Sequence, residues 1–210
     1  MNYYIDFDGT LYETSKLTKT MLEKIADVIS LNSQKDKREI LEEMNYNFDS
    51  TNGNIYTLAE NIAEEFAVNK DVVIEEVKNV LRNGQRFVFE DSQRFLEKIK
   101  SNSDNKIILL TFLPKTNQEY QLEKVNGSGL AKYFDTLIFT SELKYTLDLE
   151  YNKGIFIDDN PRDLKGLYIM NPLRVIRIRR PENKYSKIEL NMENLEEYTS
   201  FDEINIDFNK

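Results

Sequence analysis

Asp6-Phe7-Asp8-Gly9-Thr10-Leu11 follows directly on the short apolar stretch Tyr3-Tyr4-Ile5. Tyr3-Tyr4-Ile5 is β-prone and too short for a helix, so it reads as a buried strand that ends on two acids one residue apart. Gly9 then lets the chain turn sharply, with no Cβ in the way. A second acidic group stands far along the chain. Gly154-Ile155-Phe156-Ile157 reads as another buried strand, and it ends on Asp158-Asp159-Asn160-Pro161-Arg162-Asp163. Asn160 as helix cap, Pro161 at the first helical position and Asp163 in the first turn form a helix-start signature. That signature does not account for the two consecutive aspartates before the cap.

Between and beyond these stretches the apolar spacing changes character. From Leu17 to about Leu81 it is helical, with faces formed by Met21, Leu22, Ile25, Val28 and Ile29, by Ile40, Leu41 and Met44, by Ile55, Leu58, Ile62 and Phe66, and by Val73, Val77, Val80 and Leu81. After Phe87-Val88-Phe89, strand-like runs alternate with helical ones. Phe95, Leu96 and Ile99 mark a helix, and Ile107-Ile108-Leu109-Leu110 a strand. Thr116 with Glu119 forms a capping box that opens a helix through about Val125. Thr136-Leu137-Ile138-Phe139 and Leu173-Arg174-Val175-Ile176-Arg177-Ile178 supply two more strands. Short buried strands alternating with helices predict a parallel α/β sheet with right-handed crossovers. The expected organisation is a core of residues 1–13 and 91–210, with a helical unit of 14–90 inserted after the first strand. The tail, with Phe201, Ile204 and Ile206 among many acids, has no clear pattern.

Composition narrows the chemistry. The 210 residues contain no cysteine and no histidine, which excludes disulfides, thiolate nucleophiles, Ser-His-Asp triads and imidazole-ligated metals. Twenty-eight Lys and Arg against 37 Asp and Glu give a net charge of −9, which argues against a protein that coats nucleic acid. No run of about 18 apolar residues points to a membrane span. No basic segment followed by an apolar one opens the chain, so a cytoplasmic location is expected.

In a parallel α/β sheet, sites form at the carboxyl ends of the strands. The acids after the first and fourth strands, Thr111-Phe112 after the second and Lys144 after the third should therefore share one edge. Clustered carboxylates repel, by about 4 kcal/mol for a pair about 4 Å apart at an effective dielectric constant of about 20. A divalent cation relieves that repulsion, and an all-oxygen donor set suits Mg²⁺. One acid can attack as a nucleophile while its neighbour moves a proton, with Lys and Thr holding the remaining oxygens. Such a site performs phosphoryl transfer without His or Cys.

The stretch Asp6-Phe7-Asp8-Gly9-Thr10-Leu11 resembles the DxDGT signature of the haloacid dehalogenase-like (HAD) hydrolase superfamily. Thr111, Lys144 and the acidic Asp158-Asp159-x-x-x-Asp163 follow in the family's order. Residues 121–124 and 129–135 are similar to the helix and turn before the family's third strand. The resemblance covers residues 1–13 and roughly 91–179, and the helical insert stands where the family places a C1-type cap. It implies a three-layer α/β/α Rossmann-like core with strand order 3-2-1-4-5 and an inserted helical cap. Asp6 would then be the nucleophile that becomes an aspartyl-phosphate, and Asp8 the acid and base. Mg²⁺ would sit on Asp6, the Asp8 carbonyl and Asp159. Asp158 and Asp163 would orient it from behind. Phosphate would be held by Phe7, Asp8, Thr111, Phe112 and Lys144, with Lys115 as the alternative lysine. Lys153 precedes its strand and should lie at the opposite edge.

The expected function is Mg²⁺-dependent hydrolysis of a small phosphomonoester, a sugar phosphate, nucleotide or related metabolite. Asp8 favours it, since dehalogenase members of the family carry another residue there. A phosphotransferase or phosphomutase on the same scaffold, and a HAD-like binding or regulatory protein without turnover, are the alternatives. A signalling receiver domain does not fit, because there the paired acids come first, whereas here they come last and the insert is far too long.

Overall fold

Residues 1–48, 51, 54–113 and 118–206 are described by the computed structural model of the chain. Six parallel strands form one sheet: β1 (Asn2–Ile5), β2 (Lys106–Phe112), β3 (Thr136–Thr140), β4 (Gly154–Asp158), β5 (Arg174–Ile178) and β6 (Glu196–Tyr198). Their spatial order is β3-β2-β1-β4-β5-β6, which contains the expected 3-2-1-4-5 and extends it by one strand. The chain leaves β1 towards β2 and β3, then returns to lay β4 on the other side of β1. This reversal is the switch point at which α/β sheets open a crevice. Tyr4, Ile108, Leu110 and Phe156 alternate onto one face, where Leu167 packs against them and the Tyr4 and Phe156 rings stack 4.5 Å apart. The intervening Tyr3, Ile5, Ile107, Leu109, Ile155 and Ile157 are buried too, as strands covered on both faces require.

The described residues also form α1 (Thr14–Ser33), α2 (Lys37–Phe48), α3 (Ile55–Glu65), α4 (Lys70–Arg82), α5 (Glu90–Lys100), α6 (Gln118–Gly127) and α7 (Pro161–Ile169). No helix among them is long and apolar enough to cross a membrane. α5 and α7 flank the sheet, packing on β2 and on β4 and β5. Asn160 caps α7 by accepting from the Arg162 N–H, with Pro161 in its first turn.

Two compact units divide the chain: Met1–Thr14, Val88–Lys115 and Leu130–Lys210 form one, Ser15–Phe87 and Thr116–Gly129 the other. The helical unit thus takes in α6, which its place after β2 had suggested was a crossover of the sheet. α6 packs on α4: Gly127 lies so close to the Leu81 carbonyl that a Cβ there would collide with it. The Tyr56 hydroxyl of α3 donates to the Glu123 carboxylate of α6. Thr116, the expected cap of this helix, lies outside the described residues, as does Lys115.

The tail, which showed no pattern in the sequence, is held to the sheet by charge. Arg174 of β5 donates twice to Glu196, at 2.7 and 2.6 Å, and Arg177 donates to Glu197 at 2.7 Å. These pairs align β6, a strand too short and acidic for apolar alternation to reveal. Beyond β5, Arg180 makes two bonds to Asp91 of α5, at 2.7 and 2.8 Å, and both side chains are buried. Asp91 also accepts from the Ser200 hydroxyl and the Phe201 N–H. Burial opposes its charge, but these donors outweigh burial and hold its carboxyl below the usual range. Its contribution is therefore present above the unfolded-state pKa and lost as pH falls through the lower folded value. Asp91→Ala leaves a buried guanidinium unpaired and should cost about 3–5 kcal/mol in urea unfolding. A loss under about 0.5 kcal/mol, the range of ordinary surface substitutions, would contradict this account.

Candidate active site

The register of the sheet brings the acids together. Ile5 lies level with both Leu109 and Ile157, and the Asp6 N–H donates to the Ile157 carbonyl at 2.9 Å. Asp6 therefore leaves β1 beside Asp158 at the end of β4. Asp6, Asp158 and Asp159 are all buried, and each has a carboxylate oxygen within 4.8 Å of those of the other two.

Past Asp6 the chain curls on itself. The N–H groups of Thr10, Leu11 and Tyr12 all point to the Phe7 carbonyl, at 3.3, 3.0 and 3.1 Å, and the Gly9 N–H returns to the Tyr12 carbonyl at 2.9 Å. Gly9 has φ +79°, and a Cβ there would run into the Asp159 carboxylate and the Asn183 amide. Within this curl the Thr10 hydroxyl donates to Asp6 Oδ2 at 3.4 Å, and the Thr14 hydroxyl donates to the half-buried Asp8. The Phe7 side chain is buried and stacks on Tyr12, whereas that of Phe112 is exposed, so any phosphate contact from either would be made by the backbone.

Lys144 lies in a short helical turn after β3, only 2% exposed, and donates to Asp6 Oδ1 and Asp158 Oδ2, each at 2.6 Å. The Tyr151 hydroxyl fixes this turn by sharing its one proton between the Lys144 and Leu147 carbonyls, 2.9 and 2.7 Å away. Lys153 instead pairs with Glu150 at an exposed position. Thr111, near the end of β2, is 1% exposed, and its hydroxyl has no hydrogen-bond partner among the described residues. A buried hydroxyl left so costs about 1–3 kcal/mol, which a bound oxyanion would recover. Asp163 is buried in the first turn of α7. One of its oxygens accepts from Asn160 at 3.2 Å.

The sequence reading passed over Thr10, Thr14 and Asn183 as parts of this site. The first belongs to the quoted stretch and was legible only as a turn residue. Asn183 reaches Asp159 from beyond β5, where no local pattern marks it.

Three buried carboxylates against one ammonium leave two negative charges, which one divalent cation would balance. The donors are all oxygen and come from two neighbouring strand ends, a set that fits Mg²⁺. Without a cation, burial pushes the Asp6 carboxyl up to about 7; Lys144 opposes the rise, while Asp158 and Asp8 add to it. Burial also raises Asp158 and Asp159, with the neighbouring acids reinforcing it. Burial disfavours the charge of Lys144, but Asp158 and Asp6 outweigh it and keep the ammonium protonated.

Comparison with solved structures places this architecture. A HAD phosphatase from Thermococcus onnurineus superposes with a TM-score of 0.61 at 19% identity, over 96% of this chain and 94% of that one. A protein described as a haloacid dehalogenase-like hydrolase, from Burkholderia xenovorans, gives 0.68 at 11% identity, over 95% and 92%. A 2-haloacid dehalogenase from Pseudomonas syringae gives 0.60 at 15% identity, over 95% and 94%. The fold is the one that these solved HAD-type proteins share. No family model matches the sequence, and no curated protein does.

The raised carboxyls set a direction for stability against pH. An acid whose folded pKa exceeds its unfolded value of about 4 binds protons more tightly when folded, so stability falls as pH rises across that interval. Lys144, held above the usual lysine range by Asp158 and Asp6, stays protonated throughout and does not alter the slope. In chelator, the protein should therefore melt at a higher temperature at about pH 5.5 than at about pH 8. In Asp159→Asn the difference should shrink. A scanning-calorimetry profile flat between those values would contradict the shifts.

Proposed function

We propose that the chain is a Mg²⁺-dependent phosphomonoesterase of the HAD superfamily, working through an aspartyl-phosphate on Asp6. The observation that carries this reading is the cluster of Asp6, Asp158 and Asp159, two of them bound by Lys144, at the edge where β2 carries the Thr111 hydroxyl, which has no partner among the described residues. Asp6, Asp159 and the Asp8 carbonyl would hold the ion. Asp158, tied to Lys144 and to the Asn160 N–H at 2.8 Å, and Asp163 would steady the cluster. When bound, the ion neutralises the carboxylates and draws electron density from phosphoryl oxygens.

In the first step a carboxylate oxygen of Asp6 attacks phosphorus and the bond to the ester oxygen breaks. The Asp8 carboxyl gives its proton to that oxygen, so an alcohol departs. In the second step Asp8, now ionised, takes a proton from water as the water oxygen attacks phosphorus. The bond to Asp6 breaks, inorganic phosphate leaves, and the starting state of both acids is restored. The hydrogen bond from Thr14 supports this role for Asp8 by fixing its carboxyl. The ammonium of Lys144 and the hydroxyl of Thr111 would bind phosphoryl oxygens and stabilise the charge that builds up on them. The helical unit, whose larger part is inserted in the sequence between the Asp8 and Thr111 segments, favours a small phosphorylated metabolite over a phosphoprotein.

Because a 2-haloacid dehalogenase shares the fold, the decisive assay pairs two panels. Phosphate release from sugar phosphates and nucleotides in Mg²⁺, with no chloride release from 2-chloro acids, is the expected result, and the reverse outcome defeats the proposal. Phosphate release without an added acceptor also separates hydrolysis from obligate transfer. Asp6→Asn should abolish turnover, and Asp8→Asn should lower kcat by about 10²–10⁴. Mg²⁺ should raise the melting temperature, more at about pH 8 than at about pH 5.5, because protons compete for the same oxygens.

A further inference from the structure

Lys144 ties Asp6 and Asp158, but the third carboxylate of the cluster is held by another residue. Asn183 donates one amide hydrogen bond to Asp159 Oδ2 and another to the Gly9 carbonyl at 3.3 Å. Its own oxygen accepts from the Tyr185 N–H at 3.0 Å, which fixes the orientation of the amide. The turn that carries it is anchored from inside the protein. Arg177 of β5 is 0% exposed and donates to the Tyr185 carbonyl at 2.8 Å and the Ile188 carbonyl at 2.7 Å, while Glu197 of β6 balances its charge. The Asn183 N–H returns to the Arg180 carbonyl at 3.1 Å.

We propose that Asn183 is a positioning residue that fixes the Asp159 carboxylate for a divalent cation, with residues 183–188 serving as the strap that carries it. The inference rests on reading Asp6, Asp158 and Asp159 as a metal cluster. Asp159 lies among acids that repel it, and a donor is needed to keep its carboxylate turned towards them rather than away. The donor must also be neutral. A lysine at 183 would cancel negative charge that the cation is to balance, and an acid would add repulsion. An amide supplies the hydrogen bond and leaves the charge unchanged. Gly9 belongs to the same device, because a side chain there would occupy the space where the Asn183 amide meets Asp159.

The test is calorimetric titration of the full chain with MgCl₂, alongside melts across the same concentrations, for the unaltered protein, Asn183→Ala, Asn183→Ser, Asp159→Asn and, as a control outside the strap, Lys98→Ala at an exposed position of α5. Asn183→Ala should raise the Mg²⁺ dissociation constant by about tenfold, in the range seen when groups behind a metal ligand are removed. Asn183→Ser, which keeps a donor of shorter reach, should fall between the two, and it carries the test if the alanine variant does not fold. Lys98→Ala should bind as the unaltered protein does, and Asp159→Asn should lose the Mg²⁺-dependent rise in melting temperature. Unchanged Mg²⁺ affinity in both Asn183 variants, with binding lost in Asp159→Asn, overturns the role of Asn183 and leaves the metal cluster standing. Absence of Mg²⁺ binding in the unaltered protein removes the cluster reading itself, and the inference with it.

Discussion

The arrangement depends on one buried ammonium. Lys144 reaches between the ends of β1 and β4 and donates to a carboxylate from each, at 2.6 Å both times. Removing a lysine and two aspartates from water is costly, and their mutual attraction offsets that cost only when the geometry is good. Here it leaves an excess of negative charge, because Asp159 joins the same cluster. The protein therefore folds around a site that is electrostatically incomplete. That is an expensive way to build a core and a sound way to build a cation site.

Much of this was legible in the sequence because its causes are local. A strand of three or four apolar residues followed at once by acids needs only the rule that parallel strands present their carboxyl ends to one edge, and Asp6, Thr111, Lys144 and Asp158-Asp159 could be placed with it. The strand order β3-β2-β1-β4-β5 came from the family resemblance and matches the sheet. The remainder was hidden because its causes are non-local. β6 is specified by salt bridges from Arg174 and Arg177 rather than by alternation, and Glu196-Glu197-Tyr198 carries no strand signal of its own. α6 has the length and position of a sheet crossover, yet its contacts with α4 decide where it belongs. Asn183 is one of many polar residues in a coil, and only the folded chain shows what it faces.

The arginines of β5 and its extension deserve the same physical reading. Arg174, Arg177, Arg179 and Arg180 lie within seven residues, and each finds a carboxylate. Arg177 is wholly buried and Arg180 nearly so, the latter sandwiched by the Phe89 and Phe201 rings at 4.1 and 5.2 Å. A guanidinium suits such places, since its planar face packs on aromatic rings while its edge serves several acceptors. The polar tail is thereby tied to β5 and α5, alongside its buried Phe201, Ile204 and Ile206.

Fold and reaction then separate cleanly. Solved structures with this architecture include a phosphatase and a dehalogenase, so the sheet and its switch point do not choose between them. What differs must lie in side chains at the rim. A nucleophilic carboxylate suffices to displace halide, because a halide ion leaves without a proton. An alkoxide departing from phosphorus is a far poorer leaving group and needs an acid beside it, and the displaced acid must then recover its proton from water. Asp8 stands two residues from Asp6 with its carboxyl held by Thr14, and under the proposed function it is the residue that would turn the shared scaffold towards phosphate esters.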